Sequence, residues 1–576
     1  MRRMLVWYTA ALALSAAPAL AEATQDLPEG TTALSAPTAV EAREFMVVAA
    51  HPLATEAGHA VLAAGGTAAD AAVAVQAMLT LVEPQSSGLG GGGFVLHWDA
   101  ALAELTSYDG RETAPMAAGP DYWLDDQGNP LDFWEAVLGG RSVGVPGTPM
   151  LLETLHARHG RLPWADLLAP AIARAEDGFA VSQRLAQSIA GARGLDRFDP
   201  ARRYFFDDSG APLAEGAVLR NPDLARSLRL LADEGAAPFY TGAMARDIVA
   251  AVRDADPPGI LTMEDMAAYA VIERAPVCID YRGHEVCGMG PPSSGGLTVG
   301  QILGMLEPFD LAALGPGVAS AHLFLEATRL AFADRNLFMA DRDFVEMPEG
   351  LLDRAYLADR AALIDPAASL GVVPPGATPW EEASARAPDL DAGRRGTTHF
   401  VIVDADDNAV SATTTIEAGF GSRLMAGGFL LNNELTDFSR SPEADGAPVA
   451  NRVEGGKRPR SSMAPTIVLR DGRPLILTGS PGGAAIIPYT ARSIVEMLDW
   501  GLDPQETAAL THVVTFNGPV FLEPGPGIGE LSGALTALGH EVALRDLNSG
   551  LHIIHISEDG IIGGADPRRE GLVLGD

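Results

Sequence analysis

Between positions 54 and 82 the hydrophobic pattern is helical, and Gly65-Gly66 divides it in two. The second helix is expected to open at Thr67, with Asp70 at the spacing of a reciprocal N-terminal cap. Positions 94–98 and 102–108 read as paired strands. From 148 to 360 the pattern is mainly helical, with segments at 164–176, 223–234 and 320–338. Pro170 is expected to split the first of these into two short helices. Positions 22–43 read as a loose arm, and 371–396 as a linker rich in Pro, Gly and charge. Beyond it the pattern turns to strands at 398–403, 409–416, 466–470 and 475–478, and a helix is expected from near Ala484. A helical half joined to a strand-rich half reads either as two domains or as one core that is cut at the linker.

Composition narrows the chemistry. The 576 residues carry 40 basic and 75 acidic side chains, a net charge of -35, which repels phosphate and argues against nucleic acid as a partner. Lys457 is the sole lysine and is followed by Arg458, which excludes a Walker A loop. Residues 1–21 read as a secretory signal peptide: Arg2 and Arg3, an apolar stretch from position 4 to 14, then Ala19-Leu20-Ala21. The apolar run is short for a membrane anchor, so an exported protein, periplasmic or secreted, is expected.

The only cysteines, Cys278 and Cys287, flank a predicted hairpin turning at Arg282-Gly283. Counting outward from that turn makes them a non-hydrogen-bonded pair, where side chains are closest. A disulfide and two buried thiols both stay open; a metal site from two cysteines alone is not expected. Gly88 to Gly93 satisfies G-x-G-x-x-G, but a helix precedes it and a strand follows, the reverse of a dinucleotide site. It reads as a glycine-lined approach of backbone near a site. Gly140-Arg141-Ser142-Val143-Gly144 satisfies G-x-S-x-G without the strand and helix of a nucleophile elbow, and reads as a turn. No histidines stand at metal-ligand spacing.

The segment Arg395-Gly396-Thr397-Thr398-His399-Phe400 carries the chemistry. A Thr between a Gly-bearing linker and a buried strand is placed for self-cleavage. Its hydroxyl attacks the Gly396 carbonyl, and water opens the ester. The new N-terminal Thr397 then holds a hydroxyl beside its own base, the α-amine.

Thr397 to Phe400 resembles the start of the small subunit of γ-glutamyltransferases (γ-glutamyltranspeptidases), members of the N-terminal nucleophile hydrolases. Other matching segments follow in order: Asp109-Gly110-Arg111-Glu112-Thr113-Ala114-Pro115, Val143 to Gly147, Pro291 to Gly296, Leu431-Asn432-Asn433-Glu434, Asp437-Phe438-Ser439, Lys457 to Met463, and Gly479-Ser480-Pro481-Gly482-Gly483. The resemblance implies an α+β fold, a four-layer αββα sandwich built jointly by a large subunit, 22–396, and a small subunit, 397–576, which stay together as a heterodimer. It implies that Thr397 is the nucleophile, that Thr415 bonds its hydroxyl, and that the N–H groups of Gly482 and Gly483 form the oxyanion hole. Arg111, Ser461 and Ser462 would take the substrate α-carboxylate, and Glu434 and Asp437 its ammonium. No metal or organic cofactor is implied; the partners are a small γ-glutamyl donor and water or an amino-acid or peptide acceptor.

Two departures stand out. Many members of the family have Asn where this chain has Glu417; either three carboxylates then stand near one ammonium, one of them protonated through mutual repulsion, or Glu417 faces elsewhere. Between Arg440 and Arg460 there is no aromatic residue to act as a lid, so the site is expected to be open. The first functional reading is a γ-glutamyl hydrolase and transpeptidase. The alternatives are a glutaryl or cephalosporin-type acylase of the same family, and a non-catalytic exported binding protein.

Overall fold

In the computed structural model, which describes residues 30–31, 37–377, 386–389 and 396–576, Thr397–Val403 pairs antiparallel with Ala409–Thr415 and sets Thr397 opposite Thr415. The β-branched composition of both segments suits a pleated, buried surface. Asp404 closes their turn: its Oδ1 accepts from the N–H groups of Asp406 and Asn408 at 2.9 and 3.0 Å.

This hairpin lies inside a seven-stranded antiparallel sheet in the order Leu572–Gly575, Met46–Ala49, Thr397–Val403, Ala409–Thr415, Gly92–Asp99, Glu104–Gly110, Ile272–Arg274. A second runs Val40–Ala42, Gly560–Ala565, His552–Ser557, Arg473–Thr478, Thr466–Arg470, His284–Gly288, Val277–Tyr281. Each sheet takes strands from both sides of the 371–396 linker, so the chain has one interleaved core, and the two-domain reading fails.

Alternation along the hairpin sends its side chains two ways. Phe400, Ile402, Val410 and Ala412 pack with the helices Ala68–Val82 and Trp164–Asp177. Val401, Val403 and Ala409 pack with Ile467, Leu477 and Ile553 of the second sheet and with the helices Val318–Phe338 and Ile486–Leu498.

Thr67 and Asp70 form the expected cap. Two expectations, the split at Pro170 and the loose arm, need correction. Trp164–Asp177 is a single helix with Pro170 inside it. A proline there removes one hydrogen bond and costs ~3 kcal/mol. Burial of Leu167, Leu168, Ala171 and Ala175 along one face outweighs that. Part of the arm at 22–43 is built into the fold: Val40–Ala42 is an edge strand, and Thr31 donates to Asp546 through its N–H and hydroxyl, both at 2.7 Å. The helix expected near Ala484 opens with a tight turn, Gly483–Ala485, before Ile486–Leu498. The cysteine hairpin turns at Arg282 and Gly283, both at positive φ as a two-residue turn requires, and Cys278 and Cys287 form a disulfide with Cα atoms 4.1 Å apart. Residues 1–21, 378–385 and 390–395 lie outside the described residues, so the signal peptide and much of the linker do too.

Candidate active site

Thr397 stands at the first position of its strand, 6% exposed, with Gly396 still joined to it. Its hydroxyl oxygen lies 3.3 Å from that of Thr415. Thr415 spends its own proton on the Gly396 carbonyl, at 2.5 Å, so Thr397 is the donor between the two hydroxyls. The N–H of Glu417 in turn donates to Thr415 Oγ1 at 2.9 Å. Glu417 adopts a left-handed φ of 73°, a conformation costing ~1 kcal/mol.

The glycine run explains how backbone comes so close here. A Cβ on Gly91 would stand 1.9 Å from the Thr415 carbonyl oxygen, and one on Gly90 2.1 Å from that of Leu430. The reading of 88–93 as a close approach holds. Asn432 fastens the same region: its Nδ2 donates to Gly90 and Gly144 carbonyls at 2.8 and 3.0 Å, and its Oδ1 accepts from Gly144 and Glu434 N–H groups. Asn433 accepts from the Ala418 N–H and donates to the Glu417 carboxylate.

Every residue expected in catalysis or substrate binding except Gly482 lines one open pocket. Gly482 sits just behind it, at φ 137°, and Gly483 follows at φ 61°. Both lead into the N-terminus of Ile486–Leu498, whose dipole favours a developing negative charge. Ser462 Oγ accepts from Arg335 at 2.7 Å, which leaves its proton to donate. Ser461 Oγ accepts from the Met463 N–H at 3.1 Å.

Arg111 differs from expectation in its partners. Its guanidinium ion-pairs with Glu434 and, at 2.5 Å, with Asp437, and donates to the Pro459 and Arg460 carbonyls. The residue expected to take a carboxylate is paired with those expected to take an ammonium, because a buried guanidinium needs anionic partners. Burial works against the Arg111 charge, but Glu434 and Asp437 outweigh it and hold its pKa above the ordinary value.

Glu112, beside Arg111 in the sequence, carries a feature that sequence reading missed. It is fully buried, and neither its carboxylate oxygens nor Oε2 of Glu434 meets a protein donor. Burial, with the Glu434 charge second, raises its pKa well above the usual range. Burial likewise pushes Glu434 up to about 8, with Arg111 opposing and Asp437 adding. One proton held between Glu112 and Glu434 would supply the donor that the Glu112 oxygens and Glu434 Oε2 lack.

Other residues at the cavity were also missed: Phe332, Arg335 and Phe516. Phe332 and Arg335 share a face of Val318–Phe338, a signal visible only as helical spacing. No residue from 441 to 459 lines the cavity. Ser142, in the G-x-S-x-G match, is buried and donates to Val137 and Gly139 carbonyls, as a turn residue does. Spacing also missed a cluster of His322, Glu326 and His540, where His322 and His540 nitrogens lie 2.7 Å apart. Arg329 donates to both Glu326 and His540, which is unfavourable for a cation.

The family profile described as Gamma-glutamyltranspeptidase matches residues 54–575. The glutathione hydrolase proenzyme of Escherichia coli K12 is 37% identical over 549 residues, covering 92% of this chain and 91% of that one. The acylase ACY 1 proenzyme of Pseudomonas sp. SE83 is 36% identical over 532 residues, covering 90% and 91%. Among solved structures, the cephalosporin acylase of Bacillus halodurans superposes with a TM-score of 0.83 at 28% identity, covering 94% of this chain and 97% of that one. The chain belongs to the γ-glutamyltranspeptidase family.

Proposed function

We propose that this chain is an exported γ-glutamyl hydrolase and transpeptidase that cuts itself between Gly396 and Thr397. Residues 1–21 are removed on export, and the fragments 22–396 and 397–576 remain one heterodimer with the four-layer αββα sandwich of N-terminal nucleophile hydrolases. The two sheets share strands from both fragments, so cleavage leaves a common core holding them together. Among the described residues no helix is long and apolar enough to cross a membrane.

The observation that carries the reading is the Thr415 hydroxyl, which donates to the Gly396 carbonyl while accepting from the Thr397 hydroxyl. Attack by Thr397 Oγ1 on the Gly396 carbon puts negative charge on the oxygen that Thr415 already contacts. The Thr397 proton passes toward Thr415, the C–N bond breaks with the proton delivered to nitrogen, and an ester joins Gly396 to Thr397. Water opens that ester and frees the Thr397 α-amine.

In the mature enzyme the amine takes the hydroxyl proton as Thr397 attacks a γ-glutamyl amide. The oxyanion faces Gly482 and Gly483, the amine leaves with the proton, and a γ-glutamyl ester remains. Water or an amino-acid amine resolves it. The substrate α-carboxylate takes Arg111, Ser461 and Ser462, and its ammonium takes Glu434, Asp437 and Glu417. This exchanges the internal pairs of Arg111 with Glu434 and Asp437 for pairs of both sides with the substrate.

The acylase relatives support a second reading, removal of glutaryl-type side chains from β-lactams. Glu417, Glu434 and Asp437 at the cavity weigh against it, because a glutaryl group brings no cation to them. N-terminal sequencing tests the cut, with Thr-Thr-His-Phe expected and Thr397→Ala expected to stay whole. Parallel assay of γ-glutamyl and glutaryl anilides tests the substrate; a preference for glutaryl overturns the first reading.

A further inference from the structure

Arg569 is buried, 3% exposed, and its Nη1 donates to the Thr397 carbonyl at 3.2 Å. Its Nε donates to Asn548 Oδ1 at 3.2 Å and to the Ser549 carbonyl at 2.8 Å, which fixes the plane of the guanidinium. In an extended strand the N–H and C=O of one residue leave the same edge. The neighbours show which edge this is. Asp404 N–H donates to the Asn408 carbonyl across the hairpin, so even-numbered residues of Thr397–Val403 face Ala409–Thr415. His399 instead turns its carbonyl to His552 Nδ1, at 2.6 Å, and Thr397 turns its carbonyl to Arg569. The Thr397 nitrogen therefore lies on the edge that the guanidinium occupies.

While the chain is whole that nitrogen is an amide, and the cation beside it costs nothing. Once Gly396 is released it is an amine, and protonating it would set a second cation on the same edge. We infer that Arg569 is a positioning residue for the nucleophile: it fixes the first residue of the strand and, by facing the freed amine with a permanent cation, keeps that amine in the base form that accepts the Thr397 hydroxyl proton. The inference rests on the proposed cleavage and deepens it. An α-amine ordinarily has a pKa near 7.7–8.0, so at neutral pH most of it would carry a proton. A depression of one unit multiplies the free base about tenfold where the proton predominates.

The other charged and titratable groups around this edge leave that sign standing. Glu83 Oε1 lies 3.7 Å from Arg569 Nη1 but also ion-pairs with Arg184, so two guanidinium groups share it. Glu570 accepts from the Arg184 N–H, and the buried Asp566 is paired with Arg568. His552 and His399 add no charge at neutral pH: burial lowers His552 to about 4 and His399 well below its ordinary value. His51 is lowered to about 4 by burial as well. On the cavity side stand Glu417, Glu434 and Asp437, the last two paired with Arg111.

The test reads the amine directly. In processed wild-type enzyme, competitive acylation of the N-terminal amine of the 397–576 fragment across pH 5–10 gives its titration midpoint. A midpoint at least one unit below 7.7 is expected; a midpoint at or above 7.7 overturns the inference, and needs no variant. Arg569→Gln should move the acidic limb of kcat/KM on a γ-glutamyl anilide up by about one unit and recover most of its efficiency above pH 9. Arg569→Lys, which keeps the charge, should leave the limb near wild type. An even loss at every pH in Arg569→Gln, with the limb unmoved, would reduce Arg569 to packing and overturn the inference. A chain with no new terminus at Thr397 fails at the earlier step, the proposed cleavage, and sequencing distinguishes that from a cut enzyme with an ordinary amine.

Discussion

The hydroxyl of Thr415 stands 2.5 Å from the Gly396 carbonyl oxygen and donates to it, across the mouth of the hairpin that aligns Thr397 with Thr415. A donor already aimed at the oxygen that becomes negative is what self-cleavage requires, and removing one such donor typically slows a reaction by 10²–10³. Thr415→Val, which keeps the branched shape, should therefore lengthen the half-life of the uncut chain about 100-fold. Thr415→Ser should cut within a few-fold of wild type. Gel electrophoresis over time reads both, and rapid cutting of the Val variant would take the hydroxyl out of the reaction.

Arg111 spends both terminal nitrogens on carboxylates, in a fork geometry that lysine lacks. Arg111→Lys should lower kcat/KM on γ-glutamyl substrates at least tenfold, about 1.4 kcal/mol of transition-state binding. Self-cleavage should continue, because the hydroxyls at Gly396 touch none of its atoms. Kinetics like those of wild type would remove Arg111 from substrate binding.

Sequence legibility followed the range of the interactions. The strands at 398–403 and 409–416 were readable because β-branched residues and a polar turn act within twenty positions of one another. The linker–strand junction marks Thr397 as a candidate, but Thr before a strand is also ordinary strand chemistry, and Thr415 is readable only through family resemblance. Pro170 was misread because the helix containing it is stabilised by tertiary burial, which local propensity does not register. The role of Asn432 was hidden for a similar reason. Its partners Gly90 and Gly144 are 342 and 288 positions away, and nothing in Leu431 to Glu434 points to them. Arg569 meets Thr397 from 172 positions off, one residue after Arg568, whose guanidinium pairs instead with Glu523 and Asp566.

The buried pair Glu112 and Glu434 predicts a pH dependence with a definite sign. Burial holds a proton on the pair through neutrality, and Glu434, pushed up to about 8, ionises as pH rises through that value. Efficiency should then fall on the alkaline side, as ionised Glu434 stands beside Asp437 at the one guanidinium of Arg111. Stability has the same sign. An unfolded Glu loses its proton near 4.5 and the folded one near 8, so the contribution of this pair declines from pH 4.5 to 8. Glu112→Gln carries a donor that cannot ionise. It should keep efficiency at pH 7 within about fivefold, move the alkaline limb up and flatten the fall of Tm between pH 5 and 8. An alkaline limb and Tm slope identical to wild type would show that no proton is shared there.

Glu417 separates the two enzyme readings. Its carboxylate lines the cavity, and Asn433 anchors it from the same residue that holds the Ala418 N–H. Its charge also reaches Arg423, whose pKa burial lowers to about 10 while Glu417 opposes the shift. If the carboxylate reads the substrate ammonium, Glu417→Gln removes one charged partner, about 1 kcal/mol or fivefold in efficiency on γ-glutamyl anilides. The glutaryl analogue has no ammonium to lose, so its efficiency should hold or rise. The ratio of the two efficiencies, γ-glutamyl over glutaryl, is the measurement, because damage through Arg423 or Asn433 would lower both terms alike and leave it unchanged. The same assays with added glycylglycine report the openness of the site. The segment 441–459 gives the cavity no wall, so water should reach the γ-glutamyl ester and hydrolysis should compete well at modest acceptor. Transfer that overwhelms hydrolysis there would mean that Phe332 and Phe516 shield the ester in place of a lid.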